Sequence, residues 1–300
     1  MAKRISVVVS QGQSQNPQKR QLEEDLVASL MMEPGIDVTV IPHLYDLHPD
    51  GTGTLALTGI PGDMIVASWL FERAARWTLD RNGIRGQEGI CTINTSDDDD
   101  EFDEDSEPDA TEESDDDDKD RVADARTIPS RKIYCMELAA RTSADDFLEE
   151  VRRIAREATT QVVQLGDMLG GLSDASATGK VSPEAMERFQ NPTNDTALGS
   201  DMKPISLDGP AGDATLNRVE ESAGRRWYPV IDFSRCTNCM ECIDFCLFGV
   251  YGVDGVDTIL VEQPDNCRKG CPACSRVCPE NAIIFPQHKT PAIAGAPADV

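Results

Sequence analysis

Cys236-Thr-Asn-Cys239-Met-Glu-Cys242-Ile-Asp-Phe-Cys246 and Cys267-Arg-Lys-Gly-Cys271-Pro-Ala-Cys274-Ser-Arg-Val-Cys278-Pro279 carry eight of the ten cysteines of a 300-residue chain. The spacings are CxxCxxCxxxC and CxxxCxxCxxxCP. Three cysteines at two-residue intervals let one tight loop present thiolates to three different irons of a cuboidal iron–sulfur cluster. The fourth, three residues further on, is expected at the start of a helix, pointing away from that loop toward a second cluster. Crossed ligation of this kind needs both motifs. Structural zinc sites favour two separated cysteine pairs around one tetrahedral ion, and stapling disulfides belong to oxidising compartments.

Outside this window the composition is that of an ordinary globular protein, with 39% apolar and 27% charged residues. The formal charge of -26, from 54 acidic and 28 basic side chains, offers no net phosphate-neutralising surface. Nucleic acid and anionic membranes are excluded as partners on that ground. Residues 97–120 alone hold 17 of the carboxylates and one lysine, so most of the excess is one local tract. Ala2-Lys3-Arg4 precedes only the short apolar run Ile5 to Val9, too little for a secretory signal. No stretch approaches the ~20 apolar residues of a membrane span. The expectation is a soluble, cytoplasmic protein.

Upstream of the cysteines, strands alternate with helices. Ile5 to Val9 is a short apolar run rich in β-branched residues, as in a strand buried on both faces of a parallel sheet, and Ile36 to Ile41, Met64 to Trp69 and Ile133 to Leu138 read as further strands. Leu22, Leu26, Val27, Leu30 and Met31 recur at helical spacing and stop at Pro34-Gly35. Leu70 to Asp80 reads as a second helix. Ser143 is a suitable N-cap for a third, carrying Phe147, Leu148, Val151, Ile154 and Ala155. This order predicts an α/β domain with a small parallel, Rossmann-like or flavodoxin-like sheet over residues 1–169. The acidic tract, residues 95–120, is expected to be a disordered insertion within it. Residues 170–226, rich in Gly, Pro, Ser, Thr, Asn and Asp, read as a flexible linker with one short helix at Pro183 to Phe189.

Residues 227–287 resemble a bacterial-type ferredoxin domain with two 4Fe-4S clusters, an α+β fold, and residues 288–300 are expected as a disordered tail. Ile231-Asp232 precedes the first motif and Asn281-Ala282-Ile283-Ile284 follows the second, as the family's paired short strands do. The resemblance implies that Cys236, Cys239, Cys242 and Cys278 bind one cluster, and Cys246, Cys267, Cys271 and Cys274 the other. Three residues separate Cys267 from Cys271 where the family has two, and Gly270 is suited to absorb the extra residue. Without Cys267 the second cluster would become 3Fe-4S. Leu247 follows Cys246 where many members have proline.

Two such clusters make a relay for single electrons. Residues 229–286 carry eight acidic and four basic side chains, so redox partners are expected to present basic docking patches and to bind in a salt-sensitive way. Ser10, Gly12, Ser14 and Asn16, between the first strand and helix, form a generic anion site. Val7 to Leu47 resembles the opening of flavodoxin-like FMN reductases and of sirohydrochlorin-type chelatases, although Gln11 stands where chelatases have histidine. The primary reading is an electron carrier without catalytic residues. The alternative is an oxidoreductase whose α/β domain binds FMN or a substrate and is fed by the clusters. His43, His48 and His288 are too scattered for a catalytic site, and Cys91 and Cys135 read as small hydrophobes.

Overall fold

Largely buried strands build the centre of the sheet: β1 (Ile5–Ser10), β2 (Ile36–Ile41), β3 (Met64–Ser68) and β5 (Lys132–Glu137). The computed structural model describes residues 4–94, 120–159, 216–221 and 224–297. Two short strands, β4 (Gln87–Gly89) and β6 (Leu216–Arg218), complete a six-stranded sheet in the order β4-β5-β3-β1-β2-β6. Every pairing in it is parallel, with Val8 opposite Thr39 on one side and Val66 on the other. The molecule therefore contains an α/β domain.

Burial on both faces explains the apolar strands. One face, with Val7, Val9, Ile65 and Tyr134, is covered by α1 (Pro17–Met31) and α4 (Ala144–Thr159) through Leu26, Leu30, Phe147 and Val151. Asn16 caps α1 by accepting from the Gln18 amide, and the Ser143 hydroxyl accepts from the Asp145 amide at the start of α4. The other face, with Val8, Val66, Ile133 and Cys135, is covered by α2 (Thr52–Thr58), by α3 (Glu72–Arg81), and by Tyr228, Val230 and Ile284 from the cysteine-rich region. Cys91 and Cys135 are buried in these cores.

The cysteine-rich region is built on two antiparallel ribbons. β7 (Val230–Ile231) pairs with β10 (Ile283–Ile284), and β8 (Tyr251–Val253) with β9 (Ile259–Val261). Two single-turn helices, α5 (Glu241–Phe245) and α6 (Ala273–Val277), pack against each other. Its junction with the sheet is a stacked tyrosine pair, Tyr45 and Tyr228, with ring centroids 4.3 Å apart. The Tyr45 hydroxyl accepts from the Tyr228 amide at 2.6 Å and donates to the Tyr228 carbonyl, while the Tyr228 hydroxyl donates to the Tyr45 carbonyl at 2.7 Å.

The structure departs from the sequence expectation in three places. α2 and β4 are additional to the helices and strands expected. β6 falls inside the expected linker, where the open edge of β2 recruits Leu216–Arg218 as a strand. After it, Glu221 accepts from the His48 and Gly53 amides. Where a disordered tail is expected, Pro291–Ala294 form a seventh helix, α7, with Ala294 and Ala296 buried. Gly295 takes a φ of 106°, beside Ala74 on α3, and so closes that helix. The acidic tract through residue 119 and the helix expected at Pro183 to Phe189 lie outside the described residues. Among the described residues no helix is long and apolar enough to cross a membrane.

Candidate functional site

Each cysteine motif wraps through backbone conformations that L-residues seldom adopt. In the first, Asn238 and Met240 have φ of 58° and 66°. The strained turn is held from outside: the Asn238 side chain donates to the Asp257 carbonyl and accepts from the Ile259 amide, both at 2.9 Å. In the second, Gly270 takes a φ of 80° within the longer Cys267 to Cys271 loop, at the extra position, which a glycine fills without strain. The fourth cysteines lie elsewhere than expected. The helices begin earlier, at Glu241 and Ala273, and include the third cysteine of each motif. Cys246 and Cys278 therefore stand just past the helix ends, in extended conformation, with their amides bonded to Cys242 and Cys274.

This arrangement exchanges the fourth cysteines between the motifs. Cys236, Cys239, Cys242 and Cys278 line one cavity, closed by Ile231, Ile259 and Ile283. Cys246, Cys267, Cys271 and Cys274 line a second and wider one, walled by Phe245, Phe248 and Tyr251. Among the described residues no three His, Cys, Asp or Glu side chains converge tightly enough to hold a single metal ion. Burial and the neighbouring thiols push Cys242 and Cys267 up to about 12 and Cys274 to about 11. As free thiols they stay protonated at neutral pH, and a cationic centre binding them would displace those protons.

Donors point at the sulfurs. The Ala282 amide donates to Cys278 Sγ at 3.3 Å, and the Tyr251 hydroxyl donates to Cys274 Sγ at 3.1 Å. These donors are placed by the fold, the amide by the turn at Asn281 and the hydroxyl by β8. The α/β domain also reaches this region through Arg73, whose guanidinium is bonded to the Asp232 carboxylate and the Asn281 carbonyl. Arg121 spans from the Arg235 carbonyl to Glu280. Lone charged residues of this kind carry no periodic or spacing signal.

At the loop after β1 the expected anion site is spent on internal bonds. The Ser10 hydroxyl accepts from the Leu44 amide and donates to the Pro42 carbonyl, and the Gly12 amide donates to Glu23 at 2.7 Å. Ser14 accepts from the Asn16 amide, and Asn16 caps α1. Trp69, after β3, donates to the same Glu23 oxygen and lies so close that a Cβ on Gly12 would meet its ring at 2.9 Å. This indole thus stands against the loop after β1, near the strand ends where open α/β sheets take their ligands. His43, His48 and His288 are not brought together at one site. His43 stands beside Asp46, and His288 tilts against Trp227.

An α/β domain joined to two cavities, each lined by four thiols, is the class that fold and site define. Comparison with known proteins gives a relative for part of it. The chain is 50% identical over 85 residues to an uncharacterized ferredoxin of Methanocaldococcus jannaschii. The match takes in 26% of this chain and 57% of the relative, so the chain spans little more than half of that protein's length. The chain thus has a ferredoxin-like region. No family model and no solved structure matches it.

Proposed function

We propose that this chain is an iron–sulfur electron-transfer protein of the two-cluster bacterial type, with residues 227–287 as its redox unit. Cys236, Cys239, Cys242 and Cys278 would hold one 4Fe-4S cluster, and Cys246, Cys267, Cys271 and Cys274 the other. The observation that carries this reading is the sorting of eight thiols into two cavities of four, each drawing on both motifs. Cys267 lines its cavity with the other three, which favours a complete four-iron site over 3Fe-4S. The likeness to a ferredoxin supports the same chemistry.

Bound clusters of this type accept and pass on single electrons at potentials set by their surroundings. The chain's own residues supply those surroundings. Ile231, Ile259 and Ile283 keep water from the first cavity, and Phe245, Phe248 and Tyr251 wall the second. The Ala282 amide and Tyr251 hydroxyl donate to sulfur, which favours the more negative, reduced state. Partners would bring basic patches to the mildly acidic surface of this region, in a cytoplasmic setting.

Anaerobic purification followed by iron and sulfide assay tests the reading: about eight irons per chain are expected. Crossed ligation is tested by pairs of substitutions. C246A with C271A removes ligands of one proposed centre and should leave about four irons. C246A with C239A strikes both centres and should leave almost none. The reverse pattern would assign one cluster to each motif and sink the crossed assignment. A colourless, zinc-loaded chain would sink the function itself.

A further inference from the structure

Arg73 belongs to α3 of the sheet domain, yet its head is bonded within the cysteine-rich region, to Asp232 and Asn281. Its side chain is 15% exposed and that of Asp232 only 2%. From the guanidinium, Nε donates to the Asp232 carboxylate and Nη2 to the Asn281 carbonyl at 2.6 Å. The residue after Asn281 donates its amide to Cys278 Sγ. The backbone carbonyl of Asp232, in turn, accepts from the Cys236 amide at 3.0 Å. The cation of the pair is thus bound through the chain to Cys278 and the anion to Cys236, two members of the same thiol set. Arg235 adds a weaker contact to Asp232 at 3.8 Å. Near the other set, Arg226 pairs at 2.9 Å with Asp265, two residues before Cys267, and that carboxylate is 75% exposed.

We propose that Arg73, by neutralising Asp232, keeps the electron affinity of the centre at Cys236, Cys239, Cys242 and Cys278 from falling, so that a residue of the α/β domain tunes that centre. The inference rests on the cluster assignment above. Reduction adds one negative charge to a centre, which a nearby cation stabilises and a nearby anion opposes. In the intact pair the two effects largely offset each other. Removing either partner unmasks the other, inside a region screened poorly by salt.

The test is an EPR-monitored redox titration of the full-length, cluster-loaded chain. R73Q should lower the potential of one centre by about 59 mV, a tenfold weaker hold on the electron, and D232N should raise it by a similar factor. The double substitution should return near the parent value. R73K, which keeps the cation, should stay within about threefold. Repeating R73Q and D232N in a C246A/C271A background, where the first centre is the one retained, identifies the centre that moves. Shifts of the same sign, or none, in variants with full iron content would overturn the inference and leave the cluster assignment standing. If R73Q does not fold, D232N and R73K decide. A parent chain without iron would overturn the assignment, and this inference with it.

Discussion

Replacing Tyr45 by phenylalanine should unfold the cysteine-rich region and the sheet domain together at a lower denaturant concentration. Both tyrosine rings at the junction are fully buried. The Tyr45 hydroxyl serves the amide and the carbonyl of Tyr228 at once. Deleting that oxygen keeps the ring stack but strands two buried backbone groups. Each costs about 1–3 kcal/mol without a partner, so the loss is about 3 kcal/mol after partial relaxation. Arg81 and Arg226 flank the Tyr228 ring at 4.4 and 4.9 Å and hold it in place, which limits that relaxation. With a urea slope of about 2 kcal/mol/M, the midpoint should fall by about 1.5 M. The assay is anaerobic urea unfolding of the full-length chain, followed by tryptophan fluorescence for the protein and by visible absorbance for the clusters. A fall of less than about 0.3 M, or separation of the two transitions with only one displaced, would refute the reasoning that this junction is one cooperative core.

Two further outcomes follow from the sheet domain. Burial, with Glu72 beside it, pushes Glu137 from 4.5 up to about 7. Its charge therefore opposes folding, stability should fall as pH rises from about 4.5 to about 7, and E137Q should flatten that decline when unfolding is measured across the range. Gly89 faces Tyr134 across β4 and β5, and a Cβ there would lie 2.4 Å from the ring. G89A should cost about 1–3 kcal/mol by thermal or urea unfolding, because the buried tyrosine has little room to withdraw.

The four central strands were legible because buried parallel strands must be apolar on both faces, a demand that writes itself into Ile5 to Val9 or Met64 to Ala67 as an unbroken run. α2 was not, since Thr-Gly-Thr-Leu-Ala-Leu-Thr has weak helix propensity and owes its form to Leu57 packing beneath the sheet. β4 and β6 are three residues each and exist because a neighbouring edge offers free hydrogen-bonding groups. The grouping of the cysteines was readable as a spacing argument, yet the position of Cys246 and Cys278 at helix ends was not. It depends on where a single turn starts, which propensity does not settle. Arg73 and Asp232 meet only after α3 docks against β7, and no local pattern anticipates that encounter. The anion site failed for a comparable reason: Glu23 and Trp69, 46 residues apart, claim the groups that the loop alone seems to offer.

Tyr228, Val230 and Ile284 roof one face of the sheet, and this has a consequence for how the chain is made. Synthesis delivers β1 through β5 and α4 first, so the face covered by α1 and α4 is dry once residue 159 has emerged. The opposite face keeps part of its apolar surface bare until more than a hundred further residues have left the ribosome. During that interval the nascent sheet offers a sticky surface to chaperones and to other nascent chains. The segment that relieves it is the one bearing the thiols, so the domain made first is completed only when the cysteine-rich region has been synthesised.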